Sequence, residues 1–202
     1  MRARYGGRGD VVVLALPRGG VPVAYELARA LDARLDLFVV RKLGVPDQPE
    51  LALGAIASGG ARVFNKDVVG YSGVTRAQIE AVITREQAEL QRREELYRGE
   101  LPQPALRDQL VVLVDDGLAT GATMRAAIAA VRQYEPLWIA VAVPVAAPET
   151  AGMIAALVDD LICPLQPESF QAVGIWYEDF APTTDAEVRA IFAHFPHGKA
   201  AS

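Results

Sequence analysis

The stretch Val111-Val112-Leu113-Val114-Asp115-Asp116-Gly117-Leu118-Ala119-Thr120-Gly121-Ala122-Thr123 changes chemistry twice in a short span. Val111 to Val114 is an unbroken apolar run, which predicts a strand buried on both faces. Asp115 and Asp116 then put adjacent carboxylates at its C-terminal end, the edge where open α/β sheets bind ligands. Ala119, Thr120, Gly121, Ala122 and Thr123 lead on into a predicted helix over Gly121–Tyr134. Small residues let backbone N–H groups approach an anion, Thr120 and Thr123 add hydroxyl donors, and a helix N-terminus adds partial positive charge. The pattern predicts a phosphate cradle beside carboxylates that can accept hydrogen bonds from sugar hydroxyls. The plainer alternative is a core strand followed by an acidic helix cap, but a cap needs one acid and none of the rest of the loop.

Reading outward, the same alternation of apolar runs and amphipathic stretches recurs. Val11–Leu16 predicts a first buried strand, Leu16-Pro17-Arg18-Gly19-Gly20-Val21 a turn, and Val21–Leu31 a helix with Pro22 in its first turn. Leu35–Val40 predicts a second strand that ends at Arg41-Lys42, followed by a loop over Gly44–Pro49 that leads to Glu50. Leu51–Ser58 and Arg62–Phe64 flank Gly59-Gly60 as a hairpin, and Thr75–Arg98 reads as a long charged helix capped by Thr75. Strands over Leu137–Val143 and Leu161–Cys163, an extended Ser169–Tyr177, and helices over Pro148–Leu157 and Asp185–Phe195 complete the reading. Strands alternating with helices imply right-handed βαβ units around a mainly parallel sheet.

Composition narrows the function classes. The chain has 202 residues, 51% hydrophobic and 22% charged, which is a globular balance that needs no disulfide staples. The formal charge of -5 argues against non-specific nucleic-acid binding. Cys163 is the only cysteine, which excludes a Cys-rich zinc site, and His194 and His197 are the only histidines, which argues against His-based metal clusters and most triads. The longest apolar stretch, Leu137–Pro148, is too short to span a bilayer, and a cytoplasmic protein without membrane association is expected. Cys163 is expected as a small buried hydrophobe in a strand, Trp138 as core, and both histidines as surface residues.

The Val111–Thr123 stretch resembles the PRPP-binding signature of the type I phosphoribosyltransferases. That resemblance implies a type I phosphoribosyltransferase fold: a mainly parallel sheet flanked by helices, with a small C-terminal hood. It implies a core over residues 1–165, including a flexible loop and the long helix 75–98, and a hood region with a C-terminal helix over 166–202. Asp115 and Asp116 would hold the ribose hydroxyls, and Ala119, Thr120, Gly121, Ala122 and Thr123 the 5′-phosphate. The turn at Arg18, Gly19 and Gly20 would bind pyrophosphate, although an Arg-Gly-Gly turn alone can be a plain tight turn. In that family a cis non-proline peptide often precedes the residue matching Gly19, which makes Pro17–Arg18 a candidate against an ordinary trans turn.

Arg41 and Lys42 match a basic pair of the family before a flexible loop that closes over the reaction centre, and with Glu50 they are the candidate catalytic residues. Their plainer readings are a solvated basic edge and an exposed loop residue. Phe170, Val173, Trp176 and Tyr177 resemble a base-stacking hood, against the alternative of an aromatic core under a sheet edge. The implied activity is transfer of the phosphoribosyl group of PRPP to a nitrogen acceptor, a nucleobase or similar small molecule, with release of pyrophosphate. Mg²⁺ would be the cofactor, held through substrate and water rather than by protein ligands. The alternative is a PRPP- or nucleotide-sensing regulator with the same fold and no turnover. Relatives often pair, so the helix 75–98 is either a homodimer surface or a solvated helix.

Two positions depart from named branches. Gly117 follows the acid pair where a larger aliphatic residue is common. Ala119 stands where 6-oxopurine enzymes place a base-contacting aspartate, which argues against hypoxanthine, guanine or xanthine, while Leu118-Ala119-Thr120-Gly121 is similar to the adenine branch.

Overall fold

The computed structural model describes residues 1–46, 48–99 and 102–195, without the side chains of Pro49, Glu50 and His194. His197 lies outside the described residues. A short helix α1 (Arg2–Tyr5) precedes β1 (Val11–Ala15), α2 (Gly20–Leu31) and β2 (Arg34–Leu37). Next come β3 (Val40–Val45), β4 (Gln48–Ala57), β5 (Arg62–Phe64), α3 (Lys66–Tyr71) and α4 (Arg76–Arg98). The chain then alternates β6 (Leu110–Val114), α5 (Ala122–Val131), β7 (Trp138–Ala142), α6 (Pro148–Ala155) and β8 (Asp160–Ile162), and closes with α7 (Asp185–His194).

Among the described residues the strands form a five-stranded sheet of order β2-β1-β6-β7-β8 and a three-stranded sheet β3-β4-β5. The first is parallel throughout; Val13 is in register with Leu35 on one side and Val112 on the other. The chain leaves β1 toward β2 and leaves β6 toward β7, in opposite directions across the sheet. The C-terminal ends of β1 and β6 therefore flank the switch point, where connecting loops diverge and open a crevice.

Every residue of β1 and β6 is buried, because both faces are covered. Val12, Leu14, Val111 and Leu113 pack with Met124, Ile128 and Ile154 from α5 and α6. Val11, Val13, Val112 and Val114 pack with Val21, Ala28, Leu31 and Val188 from α2 and α7. Each of these side chains apart from Ala28 contributes about 1.5–3 kcal/mol of burial, which holds the two loops at the crevice on rigid strands. The smaller, antiparallel sheet is itself sandwiched. Leu43 and Val45 pack with Val82, Ile83 and Leu90 of α4, whereas Val40, Ala57 and Val63 join the cluster of α5. A capping box between Thr75 and Gln78 starts α4 where the sequence places it.

Several expectations change. The run Leu35–Val40 is not one strand: β2 ends at Leu37, and Val40 starts a strand of the other sheet. The stretch expected as a loop over Gly44–Pro49 lies largely within the arms of a hairpin, with Val45 paired to Gln48. Burial of Leu43 and Val45 against α4 overrides the turn chemistry of Gly44, where the register shifts. Glu50 accordingly sits on β4. Ser169–Tyr177 is not extended; a 3₁₀ turn over Val173–Trp176 replaces a strand, and the Tyr177 N–H returns to the Gly174 carbonyl at 3.3 Å. Cys163 lies just past β8, half-buried, its thiol donating to the Leu165 carbonyl at 3.3 Å. Trp138 is half-buried and donates its indole N–H to the Tyr5 hydroxyl at 3.3 Å.

Candidate active site

The cradle grows out of β6. The Asp116 N–H donates to Asp115 Oδ1 at 2.9 Å. Burial, and then the neighbouring Asp116 carboxylate, push the Asp115 carboxyl up to about 7. Burial also raises Asp116. A close acid pair with raised proton affinity is a site that gains from hydrogen-bond donors or positive charge.

Beyond the acids, Gly121 caps α5 at φ +69, a left-handed conformation that disfavours a side chain. A Cβ there would also come within 2.8 Å of Thr150 Cγ2. Thr150, at the start of α6 and buried, donates its hydroxyl to the Ala119 carbonyl at 2.6 Å. The cradle is thus held from behind by a residue that no local motif marks. Asp115 to Met124 and Val173 line a pocket of about 240 Å³, so the acids and the small-residue loop share one space.

The turn after β1 closes one side of this crevice. Its Pro17–Arg18 peptide bond is cis. A Cβ on Gly20 would meet the Val114 carbonyl oxygen at 2.6 Å, and a Cβ on Gly19 would overlap the Asp116 carboxylate. The two glycines let the first loop sit directly on the acid pair. Arg18 turns toward α7, where its Nη1 lies 3.4 Å from Asp185 Oδ1. The same oxygen accepts a 2.6 Å hydrogen bond from Tyr97. Burial first, then Asp185, pushes the Tyr97 phenol up to about 12.

The C-terminal segment folds over the acids. The Tyr177 hydroxyl donates to the Asp116 carbonyl at 2.5 Å, and its ring meets Phe180 at 5.0 Å between centroids. Val173 lines the pocket, Phe170 is half-buried, and Trp176 stays exposed. A Cβ on Gly117 would lie 2.7 Å from Val173 Cγ1 and 3.1 Å from the Val145 carbonyl oxygen. The missing side chain at Gly117 is therefore matched by Val173, which occupies that space.

Arg41 and Lys42 part company, because neighbours on a strand face opposite ways. Arg41 donates from Nε and Nη2 to Glu86 Oε2 of α4, at 3.0 and 2.6 Å. Glu86 is buried and also accepts from Arg85 at 3.0 Å. Its role is hidden in the sequence among the many charges of α4. Lys42 faces α5 and lines a second cavity together with Thr123. The Glu50 side chain lies outside the described residues. Among the described residues, no group of three or more His, Cys, Asp or Glu is placed to hold a metal ion. No described helix is long and apolar enough to cross a membrane.

A parallel α/β sheet with an acid pair and a small-residue loop at its switch point defines a doubly wound domain with a crevice beside the C-terminal ends of β1 and β6. The model of the phosphoribosyl transferase domain family matches residues 2–177, and the chain belongs to that family. It is similar to a provisionally named phosphoribosyl transferase found in two strains of Mycobacterium tuberculosis. The identity is 47% over 180 residues, which is 89% of this chain and 41% of those proteins. The chain thus spans about two fifths of the length of these curated relatives. It is also similar to the crystal structure of TT1426 from Thermus thermophilus. There the identity is 44% and the TM-score 0.82, over 92% of this chain and 88% of that one.

Proposed function

We propose that this domain transfers the phosphoribosyl group of PRPP to a nitrogen acceptor and releases pyrophosphate. The observation that carries the reading is the single crevice in which Asp115, Asp116 and the loop Ala119–Thr123 meet, with Gly19 packed against the acids. Asp115 and Asp116 accept the ribose 2′- and 3′-hydroxyls. The N–H groups and hydroxyls of Ala119, Thr120, Gly121, Ala122 and Thr123 take the 5′-phosphate at the start of α5. Arg18, Gly19 and Gly20 take the pyrophosphate, once Arg18 swings from Asp185.

With the sugar held at both ends, the acceptor nitrogen forms its bond to C1′ as the C1′–O bond to pyrophosphate breaks. The electron pair leaves with pyrophosphate, and the proton of the acceptor nitrogen is lost from the product. Positioning and charge stabilisation supply the acceleration. Lys42 contributes positive charge from its face of β3, and Arg41 acts through its place beside Glu86. The segment 166–195 forms the hood, where Val173 and Tyr177 bound the crevice and Trp176 and Phe170 offer faces to a planar acceptor.

The oxygen-rich character of the acid pair suits a hard divalent cation such as Mg²⁺ only if the substrate supplies most of the ligands. When bound, that ion neutralises charge on pyrophosphate. The deciding experiment incubates the protein with PRPP, Mg²⁺ and a panel of purine, pyrimidine and other nitrogen bases, and measures pyrophosphate. Base-dependent release supports transfer and names the acceptor. PRPP binding without release with any base moves the domain to a sensing role, and no PRPP binding overturns the site.

A further inference from the structure

The larger cavity beside the cradle, about 370 Å³, lies between the β3-β4-β5 sheet and α5. Hydrogen bonds at its far end orient it. Gln133 donates to the Arg62 carbonyl at 2.9 Å, and Tyr134 donates to the Ser58 carbonyl at 2.6 Å. The turn between β4 and β5 is thereby pinned to the C-terminal end of α5. Val40, paired to Ala57, lies near that end, and β3 runs from there toward the N-terminal end of α5. From Ala122 to Arg132 the helix rises about 15 Å. The cavity therefore starts at Thr123, on the rim of the cradle, and leads back along the helix away from the crevice. Ala122 and Thr123 line both spaces, whereas Asp115 and Asp116 line only the crevice of the cradle.

Its lining has a consistent chemistry. Ala126 and Ala129 of α5 and Ala52 and Gly54 of β4 line it together with Val63 and Leu157, so its walls are apolar. Arg125, Arg132 and Lys42 also line it, and the described lining residues include no Asp or Glu. Arg132 is placed by donating to the Leu157 carbonyl. Arg125 and Arg132 lie seven residues apart on one helix, about 10 Å along its axis. An apolar cavity edged by guanidinium groups is complementary to an aromatic ring that carries a phosphate. The volume lies at the lower end of small-molecule pockets, about 300–1,000 Å³.

We infer that this cavity binds a flat aromatic phosphate ester as a second ligand, alongside and not within the sugar-phosphate cradle. Its ring lies between the Ala126–Ala129 face of α5 and β4, and its phosphate meets Arg125, while Arg132 stays on the Leu157 carbonyl and adds positive charge at the other end. Because Ala122 and Thr123 border both spaces, occupancy of one changes affinity in the other, by the same factor in each direction.

The test titrates 1-naphthyl phosphate into the full chain and follows the fluorescence of the probe. Titrations are run with and without saturating ribose 5-phosphate, which fills the cradle. The expected result is one saturable site that persists with ribose 5-phosphate present. Arg125→Gln and Ala129→Leu each weaken it at least about fivefold, and uncharged 1-naphthol binds at least about fivefold more weakly. Arg125 is exposed, so Arg125→Gln leaves the fold intact even where Ala129→Leu disturbs it, and circular dichroism checks both. Absence of binding overturns the inference. So does binding that ribose 5-phosphate abolishes and both variants leave alone, which puts the probe in the cradle. Equal binding of 1-naphthol also overturns it. None of these readouts uses turnover, so failure here and failure of the transferase reading are separate results.

Discussion

Gly19 rests against the carboxylate of Asp116, so closely that no Cβ fits between the turn after β1 and the acid at the end of β6. Two loops far apart in the chain thus make one surface, and a methyl group added at Gly19 must displace the carboxylate. Gly19→Ala is expected to lower PRPP affinity at least about tenfold, roughly 1.4 kcal/mol or more. Calorimetric titration of the variant with PRPP checks it, and unchanged affinity would separate the turn from the site.

The acid pair makes a pH signature. Asp115 is raised from 3.8 to about 7 in the folded chain, so between those values the native state holds a proton that the unfolded state has lost. Its contribution to stability is therefore fully present below about pH 4 and is lost as pH rises through about 7. Asp115→Asn should stabilise the protein at pH 8 relative to pH 4.5 by roughly 2–4 kcal/mol compared with wild type. Urea denaturation at the two pH values measures this. Ribose hydroxyls favour the ionised acid, so PRPP affinity should climb through about pH 7 in wild type and stay flatter in the variant.

Glu86 holds Arg41 from the far side of the small sheet. Glu86→Gln keeps the shape and one acceptor but removes the charge, while Glu86→Leu leaves the guanidinium without its partner. The expected stability losses are about 1 kcal/mol for Gln and roughly 1.5–3 kcal/mol for Leu. If Arg41 serves the reaction through this pairing, kcat falls more than KM rises, and Gln retains more kcat than Leu. Equal activity in all three proteins would confine the pair to folding.

Asp185 competes for Arg18. Both side chains of that pair are near half exposed, at 47% and 41%, so the contact is a weak surface one. Asp185→Asn should free Arg18 and tighten pyrophosphate binding about two- to fivefold at low salt, with the gain shrinking as salt is raised. A pyrophosphate titration in which the variant binds no tighter at low salt would show that Arg18 does not leave Asp185 for the ligand.

Gly117 and Val173 form a matched pair. Gly117→Ala should destabilise by roughly 1–3 kcal/mol through overpacking. Val173→Ala in the same chain should recover much of that loss, with a coupling of about 0.5–3 kcal/mol. Additive effects in thermal unfolding would mean that the segment around Val173 gives way elsewhere.

The strand, the acid pair and the helix start of Val111–Thr123 are legible along the chain, because an apolar run and the residues that end it are local properties, whereas the burial that raises Asp115 is not. Arg18-Gly19-Gly20 and the capping box of α4 are legible too, since neighbours in the chain set the geometry there. Local pattern is not enough where a partner comes from elsewhere in the chain. Gly44 and Pro46 have turn chemistry, yet Leu43 and Val45 sit in strand geometry because α4 covers them. Arg41 and Lys42 read as one basic pair, yet strand pleat sends one to Glu86 and the other to the cavity beside α5. Thr150 and Glu86 had no motif to mark them, since each acts on a residue many positions away. Hydrophobic period and turn residues are written along the chain, whereas the partner of a buried charge or hydroxyl is chosen by whichever element the completed packing brings within hydrogen-bond reach.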